Sequence, residues 1–218
     1  MSLTTRFSKI LFLVIFLSIG FISGAQTRFG LFAGAHAVTA DYKVRDIKQN
    51  TDFKPGFFIG INSKIEFENK LYFAPALFYS YKGYKVTLNQ AAYPPDLKAI
   101  KNDLSVHALE VAALLEYDFS NNPSHFFVKF GPGVEMQLAG KEKILLIDGN
   151  TVSRRMKYGF AEYGRYAASA ILQIGYTLKN KFFLQAHYAH GLSDLNNADA
   201  GPSIKYRSGG ISFGKFFN

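Results

Sequence analysis

The sequence predicts an all-β protein, an eight-stranded antiparallel up-and-down transmembrane β-barrel. Three observations lead to this prediction. Apolar and polar residues alternate with a period of two over segments of roughly ten residues, the length that a tilted strand needs to cross a membrane. Tight polar turns alternate with long loops along the chain. A short apolar leader precedes the alternating region, and no second continuous apolar run follows it.

The leader has the three parts of a secretory signal peptide. Arg6 and Lys9 form a basic start, 10–22 is apolar, and Ser23-Gly24-Ala25 supplies small residues for cleavage before Gln26. A transmembrane anchor is the alternative, but the apolar run is shorter than the roughly 20 residues that a membrane helix needs. The predicted division is therefore a signal peptide at 1–25 and an outer-membrane β-barrel domain at 26–218.

Composition narrows the class of protein further. The chain has no cysteine and no tryptophan, but 22 phenylalanines and 13 tyrosines, so disulfide and thiol chemistry are excluded. The formal net charge is +9, and +7 remains without the two basic residues of the leader, which has no acidic residue. A basic soluble domain would suggest nucleic acid as a partner. An exported basic chain instead meets the phosphates of membrane lipids.

Eight segments show one apolar face and one face of small, polar and charged residues. In chain order the predicted strands are 28–37, 57–67, 71–85, 106–119, 126–138, 166–178, 182–191 and 205–217. Their apolar faces carry, in the same order, Phe29, Leu31 and Ala33; Phe57, Ile59 and Ile61; Phe73, Leu77 and Tyr79; Leu109, Val111 and Leu115; Phe126, Val128 and Phe130; Ala170, Leu172 and Ile174; Phe182, Leu184 and Ala186; and Ile211, Phe213 and Phe217. Pro75 lies on the apolar face of the third strand and predicts a local bulge or kink, because proline lacks the N–H that the ladder needs.

The connections distinguish a membrane barrel from a lipocalin-like soluble barrel or a sandwich, which alternation alone would allow. Short turns are predicted at 68–70, 120–124 and 179–181, and long loops at 38–56, 83–105, 139–165 and 193–204. Outer-membrane barrels have short turns on the periplasmic side and longer loops outside. We therefore expect both termini and the short turns to lie on the periplasmic side.

Charged residues on the polar faces are expected to point into the lumen. They are Lys64, Glu66, Lys82, Glu110, Glu116, Lys129 and Glu135. An eight-stranded barrel is just wide enough for side chains to fill it, and unpaired charges there are costly. The sequence therefore predicts buried acid–base pairs, with Lys82 near the outer mouth and with glycines and alanines leaving room for larger side chains.

Two loops carry features that could bind other molecules. The third long loop is basic and reads as a hairpin around Gly149-Asn150, with Arg154 and Arg155 available to lipopolysaccharide phosphates or an acidic partner. A solvated loop with scattered charge explains the same residues. In the second loop, Leu97, Ile100 and Leu104 follow Pro95 at helical spacing and predict a short amphipathic helix that caps the mouth or docks a partner.

Residue types suited to catalysis or metal binding occur near the strand ends. His190, Ser193 and Asp194 have types suited to acyl transfer, and Ser124-His125 lies at a predicted periplasmic turn. The oxygen-rich stretch 194–199 lacks the spacing of a calcium loop and is better explained by loop-forming Asx residues. We assign no catalytic, cofactor-binding or metal-binding residue and predict that the protein is not an enzyme.

Four strands resemble a known family. The segments LYFAPALFYSYKG (71–83), VHALEVAALLEYDF (106–119), FFVKFGPGVEMQL (126–138) and LQAHYAHGLSDL (184–195) are similar to strands of the PorT-like outer-membrane β-barrel family of Bacteroidota, an outer membrane protein beta-barrel domain. The resemblance implies location in the cell outer membrane. Some members of that family resemble a component of the type IX secretion and gliding machinery.

The leading hypothesis is that the protein is a small integral outer-membrane barrel with a structural or interaction role. A finer hypothesis is that it is an accessory to type IX-like protein secretion or to envelope assembly. Its expected partners are outer-membrane lipid, lipopolysaccharide and envelope or secretion-machinery proteins, and no nucleic acid. The alternatives are a porin-like channel for small solutes and, third, a lipid-modifying barrel enzyme. A filled eight-stranded interior argues against the channel.

Overall fold

A computed structural model describes residues 27–89, 98–199 and 201–217. Over these residues the chain forms ten strands: β1 (Thr27–Val44), β2 (Ile47–Lys48), β3 (Asn50–Glu68), β4 (Leu71–Thr87), β5 (Ala99–Asp118), β6 (His125–Leu146), β7 (Thr151–Arg155), β8 (Tyr166–Thr177), β9 (Phe182–Gly191) and β10 (Ser203–Phe217). Among these residues there is no helix that is long and apolar enough to cross a membrane. The predicted signal peptide and its cleavage position lie outside the described residues.

The eight long strands close into a ring. Hydrogen-bonded neighbours follow the order β1, β3, β4, β5, β6, β8, β9 and β10, and β10 pairs back onto β1 from Phe29–Phe217 to Lys43–Ser203. Every pairing between these strands is antiparallel. The short strands β2 and β7 pair only with β1 and β6. The predicted eight-stranded antiparallel barrel is confirmed.

The two faces of the wall are reversed relative to a soluble protein. On β3, Phe57, Ile59 and Ile61 point outward and are 51–57% exposed, whereas Phe58 and Lys64 point inward and are buried. A broad exposed apolar face of this kind requires lipid around it. For these residues the alternation that predicts the strand also assigns the outward and inward faces correctly.

The strands at the long-loop end continue beyond the predicted membrane segments. The predicted loop at 38–56 is mostly strand, because β1 runs to Val44 and returns through a tight turn in which Arg45 and Asp46 have positive φ. The reason is visible in the inward residues Val38, Ala40 and Tyr42, which are buried in a common core. The loop prediction is therefore wrong over much of this stretch, since the wall itself rises beyond the membrane.

The predicted amphipathic helix is wrong where it can be compared with the structure. Ile100 and Leu104 belong to β5, in which Asn102, Leu104 and Val106 alternate inward and are buried. Pro95 and Leu97 lie outside the described residues. Apolar residues spaced by three and four positions are typical of a helix, but over so short a segment they also fit a strand, and here the period-two burial of an extended strand decides the conformation.

Pro75 interrupts the ladder without a bulge. The β3–β4 pairing skips from Asn62–Ala76 to Ile65–Phe73 with unchanged register, and the pairing of Pro75 with Ala113 on β5 is continuous. A residue in an antiparallel sheet donates its N–H to one neighbour only, so proline affects only one side. The predicted bulge is therefore wrong at this position; the register shifts of this pair lie near its two ends, between Phe53 and Phe57 and between Glu66 and Glu68.

Candidate functional site

The half of the lumen nearer the short turns holds a cluster of buried ion pairs, here called the lower ion cluster: Lys64, Glu116, Asp118, His125 and Lys129. Lys64 Nζ lies 2.7 Å from Glu116 Oε1 and 2.5 Å from Asp118 Oδ2. Lys129 Nζ lies 2.9 Å from the other Glu116 oxygen, and His125 Nε2 lies 3.1 Å from Asp118. Inward alternation on β3, β5 and β6 brings these groups together, and mutual pairing offsets the cost of their burial.

Beside it, five phenylalanines form an aromatic cluster: Phe32, Phe58, Phe127, Phe183 and Phe216. Each of these phenylalanines is paired with a glycine on a neighbouring strand. The cross-strand partners are Phe32 with Gly60 and Gly214, Phe58 with Gly34, Phe127 with Gly175, Phe183 with Gly214, and Phe216 with Gly30. The missing side chains of the glycines supply the space that the rings occupy in so narrow a barrel.

Nearer the end with the long connections lies the upper ion cluster of Lys82, Glu110 and Glu135. Lys82 Nζ lies 2.7 Å from Glu110 and also pairs with Glu135, and Ser80 donates a hydrogen bond to Glu110. His187 stacks edge-to-face on Phe58 and closes the space toward the aromatic cluster. A cavity of about 30 Å³ remains at this level, room for roughly one water molecule.

The part of the barrel beyond these clusters has its own apolar interior, the rim core. It is formed by inward residues of the strand extensions and by residues of the connecting segments: Val38, Ala40, Tyr42, Val44, Tyr84, Val86, Leu104, Val106, Ala108, Met156, Leu195, Ile204 and Tyr206. Because Met156 and Leu195 come from outside the strands, the connections fold over the barrel mouth. The described side chains thus fill the interior from the opening between the short turns to the rim.

A polar latch holds the segment after β7 against the rim core. Glu142, inward and buried on β6, accepts hydrogen bonds from Tyr163 Oη (2.5 Å), Arg154 Nε (2.6 Å) and Asn102 Nδ2 (3.0 Å). Burial, together with the charge of Glu142, raises the pKa of Tyr163 well above its ordinary value. The phenol therefore stays protonated and donates to the carboxylate at neutral pH.

Six of the seven charges predicted to face the lumen are found there, all in ion pairs: Lys64, Lys82, Glu110, Glu116, Lys129 and Glu135. Glu66 borders the opening of the lumen between the short turns, beside the register shift at the end of β3, but the predicted burial and pairing are wrong for it, because it is exposed and has no ion pair among the described residues. Asp118 is also a buried, paired charge of the lumen, but it is not among the seven predicted charges, although it follows Glu116 on the same face of the strand. Glu142 was missed because a register shift between His107 and Ala108 changes the phase of β6 against β5, so simple alternation no longer applies.

The three residues suited to acyl transfer are not assembled into a catalytic arrangement. Ser193 Oγ accepts a hydrogen bond from the Ala168 amide (2.7 Å), and Asp194 Oδ1 accepts from the amides of Asn196 (3.0 Å) and Ile204 (2.9 Å). His190 Nδ1 instead lies 3.2 Å from the hydroxyl of Tyr188. Each side chain has a structural role in a loop or on the wall.

The acidic loop and the other turn histidine also have structural partners. The amides of Asn196 and Ala198 donate to the side chains two residues earlier, which are the Asx turns expected from the sequence. His125 contacts Asp118 and the Asn122 carbonyl (2.7 Å). Over 27–89, 98–199 and 201–217, no group of three or more acidic or histidine side chains is placed to hold a metal ion.

A closed antiparallel ring with a lipid-facing apolar exterior and a paired, charged interior defines an integral barrel of the outer membrane. The chain belongs to the family described as outer membrane protein beta-barrel domain, whose family model matches residues 24–197. No protein of curated function matches it by sequence. Its location in the outer membrane follows from this family.

Three solved structures are similar over most of their length. The crystal structure of Ail, the attachment invasion locus protein of Yersinia pestis, in complex with the heparin analogue sucrose octasulfate is 16% identical, covers 88% of this chain and 99% of its own, and has a TM-score of 0.46. OprG from Pseudomonas aeruginosa is 13% identical, with coverage of 89% and 97% and a TM-score of 0.47. Neisserial surface protein A is 16% identical, with coverage of 86% and 95% and a TM-score of 0.42.

Proposed function

We propose that this protein is a closed, non-conducting barrel that works by binding partners with its wall and with the part that extends outside the membrane. The filled interior is the observation that carries the proposal: two ion clusters, an aromatic cluster and the rim core follow one another along the lumen. A rigid extension with its own buried core is suited to presenting a fixed surface.

Planar-bilayer recording of the purified protein tests the closed state. We expect no stepwise conductance, because a solute would have to displace paired charges and packed rings together. Stepwise conductance that depends on the protein would instead establish the porin-like alternative.

The finer proposal concerns partners. We propose that the extension contacts lipopolysaccharide and that the barrel is an accessory to secretion or envelope assembly, as the PorT-like resemblance of its strands suggests. Export through a signal peptide at 1–25, with the barrel at 26–218, is part of the same proposal. Crosslinking in intact cells followed by affinity purification tests it: recovery of secretion-machinery subunits supports the accessory role, and their absence from the crosslinked material contradicts it.

A further inference from the structure

A basic groove lies on the outer wall at the end of the barrel that bears the long connections. It extends from β3 across β4, β5 and β6 to β7 and has a volume of about 810 Å³. Its cations come from three places: Lys54 on β3, Lys141 and Lys143 on β6, and Arg155 on β7. The groove faces away from the lumen and is therefore separate from the ion clusters inside the barrel.

Strand register places three of these cations on one outward surface. Lys141 is directly opposite Arg155 in the β6–β7 hairpin, and Lys143 is two residues along the same strand. The intervening Glu142 and the following Ile144 point inward and are buried. The hairpin predicted from the sequence thus concentrates positive charge on the outer wall rather than scattering it over a loop.

Those three cations are uncompensated. Lys141, Lys143 and Arg155 are exposed and make no ion pair within the part of the chain that the structure describes. The acidic residue of the groove, Asp103, is already paired with Lys54, whose ammonium also donates to Ser105 Oγ (2.6 Å). The groove therefore carries excess positive charge and is suited to an anionic ligand.

The groove begins directly above an aromatic belt. Tyr79, Tyr81 and His107 lie side by side on the outward face, with the Tyr79 hydroxyl 2.5 Å from His107 Nδ1. Aromatic belts mark the interface between the apolar membrane core and the headgroups. Lys141 is opposite Ser105, two residues beyond His107, a rise of about 7 Å along the strand. From an aromatic belt at the membrane interface, a rise of this size is expected to bring the cations level with the phosphate groups of the surrounding lipids.

We propose that this groove binds a phosphorylated glycolipid of the outer leaflet, with Lys141, Lys143 and Arg155 holding its phosphate groups. A guanidinium can bind two phosphate oxygens at once, and the two ammonium groups add charge without restricting geometry. Tyr81 and His107 line the lower edge of the groove, where the sugar–acyl junction would lie. The inference deepens the lipopolysaccharide contact of the proposed function and rests on it.

Native mass spectrometry of the detergent-purified full chain tests the site. The probes are diphosphoryl lipid A, monophosphoryl lipid A and fully dephosphorylated lipid A. The test variant combines Lys141→Gln, Lys143→Gln and Arg155→Gln. The matched control combines Lys43→Gln, Arg45→Gln and Lys48→Gln, which removes the same charge from exposed positions at the β1–β3 turn. We expect the test variant to lose at least about tenfold in affinity for diphosphoryl lipid A, since cations near a phosphate layer each contribute, and the control to change less than twofold.

Each other outcome overturns a defined part of the inference. An equal loss of affinity for diphosphoryl lipid A in the test variant and the control would show a general effect of charge and contradict a specific site. Unchanged affinity in the test variant, with wild-type binding that still depends on phosphate, would overturn the site but leave the lipopolysaccharide contact intact. If the wild type bound the three forms of lipid A with equal affinity, both the site and the proposed lipopolysaccharide contact would be contradicted. A soluble polyphosphate that competes as well as lipid A would assign the groove to a soluble anion instead of a lipid. Far-UV circular dichroism confirms that each variant is folded.

Discussion

At the scale of single residues, Lys82 neutralises two buried carboxylates that no other cation reaches within the described residues. Lys82→Met would leave Glu110 and Glu135 facing each other unpaired, which costs about 3–5 kcal/mol for a buried charge. The triple variant that adds Glu110→Gln and Glu135→Gln should recover most of that loss. Urea unfolding followed by far-UV circular dichroism measures both, since the chain has no tryptophan. Equal stability of the single and triple variants would contradict the pairing.

The glycines opposite the phenylalanine rings offer a second residue-scale prediction. A Cβ atom at Gly175 would lie 2.4 Å from Phe127 Cζ, whereas one at Gly209 would meet only the His187 carbonyl at 3.8 Å. Gly175→Val should therefore destabilise the barrel by about 1–3 kcal/mol or more through overpacking. Gly209→Val should be close to neutral. The fraction of unheated protein that migrates as folded barrel on a detergent gel is the measurement, and similar values for the two variants would contradict the packing.

Individual residues also show what the sequence could reveal. Six lumenal charges follow from alternation because a strand in a closed wall has only an inside and an outside. Glu142 does not follow, because a phase change is a property of two paired strands and leaves no mark on either sequence alone. The pairing of phenylalanine with glycine is likewise invisible until the register is known.

At the scale of elements, the latch between Glu142 and Tyr163 ties the segment after β7 to the rim core. Tyr163→Phe removes a hydrogen bond to a carboxylate and should lower the local opening free energy by about 1.5–3 kcal/mol at pH 8. Tyr158→Phe is the matched control, because that hydroxyl makes only a 3.9 Å contact with Met156 sulfur. Hydrogen–deuterium exchange over 156–164 measures the difference.

The pH dependence of the latch has a definite sign. Burial raises the pKa of Tyr163 in the folded protein above its unfolded value, so the protonated form stabilises the fold. This contribution is complete below about pH 10, the ordinary tyrosine pKa, and is lost as the pH rises through the raised folded value. The wild type and Tyr163→Phe should therefore differ at pH 8 and converge only at higher alkaline pH. Convergence below pH 10 would contradict the raised pKa.

Element boundaries were the weakest part of the sequence interpretation, for a physical reason. The predicted strands ended where the outward face stops being apolar, which is where the membrane ends and not where hydrogen bonding ends. Val38, Ala40 and Tyr42 still alternate inward above that level because the rim core needs them. A membrane barrel thus has two alternation signals, and only the lipid-facing one is easy to recognise.

At the scale of the whole molecule, the ring of paired strands closes the barrel wall. The unequal lengths of the connections indicate the orientation of the barrel in the membrane. The wall continues past the membrane only at the end opposite the turns at 69–70, 119–124 and 178–181. Barrels of the outer membrane carry their short turns in the periplasm. We therefore expect the basic groove and the β6–β7 hairpin to face the cell exterior, where the phosphorylated outer leaflet lies.

Cysteine labelling tests this direction cleanly, because the chain contains no cysteine of its own. Thr151→Cys lies on the exposed β7 hairpin and Asn121→Cys on an exposed short turn. A membrane-impermeant maleimide should label Thr151→Cys in intact cells and Asn121→Cys only after the outer membrane is permeabilised. The reverse pattern would contradict the orientation and move the basic groove to the periplasmic leaflet, away from lipopolysaccharide. The glycolipid site would then fail even if the purified protein bound lipid A, so the labelling result decides whether that binding can occur in the cell.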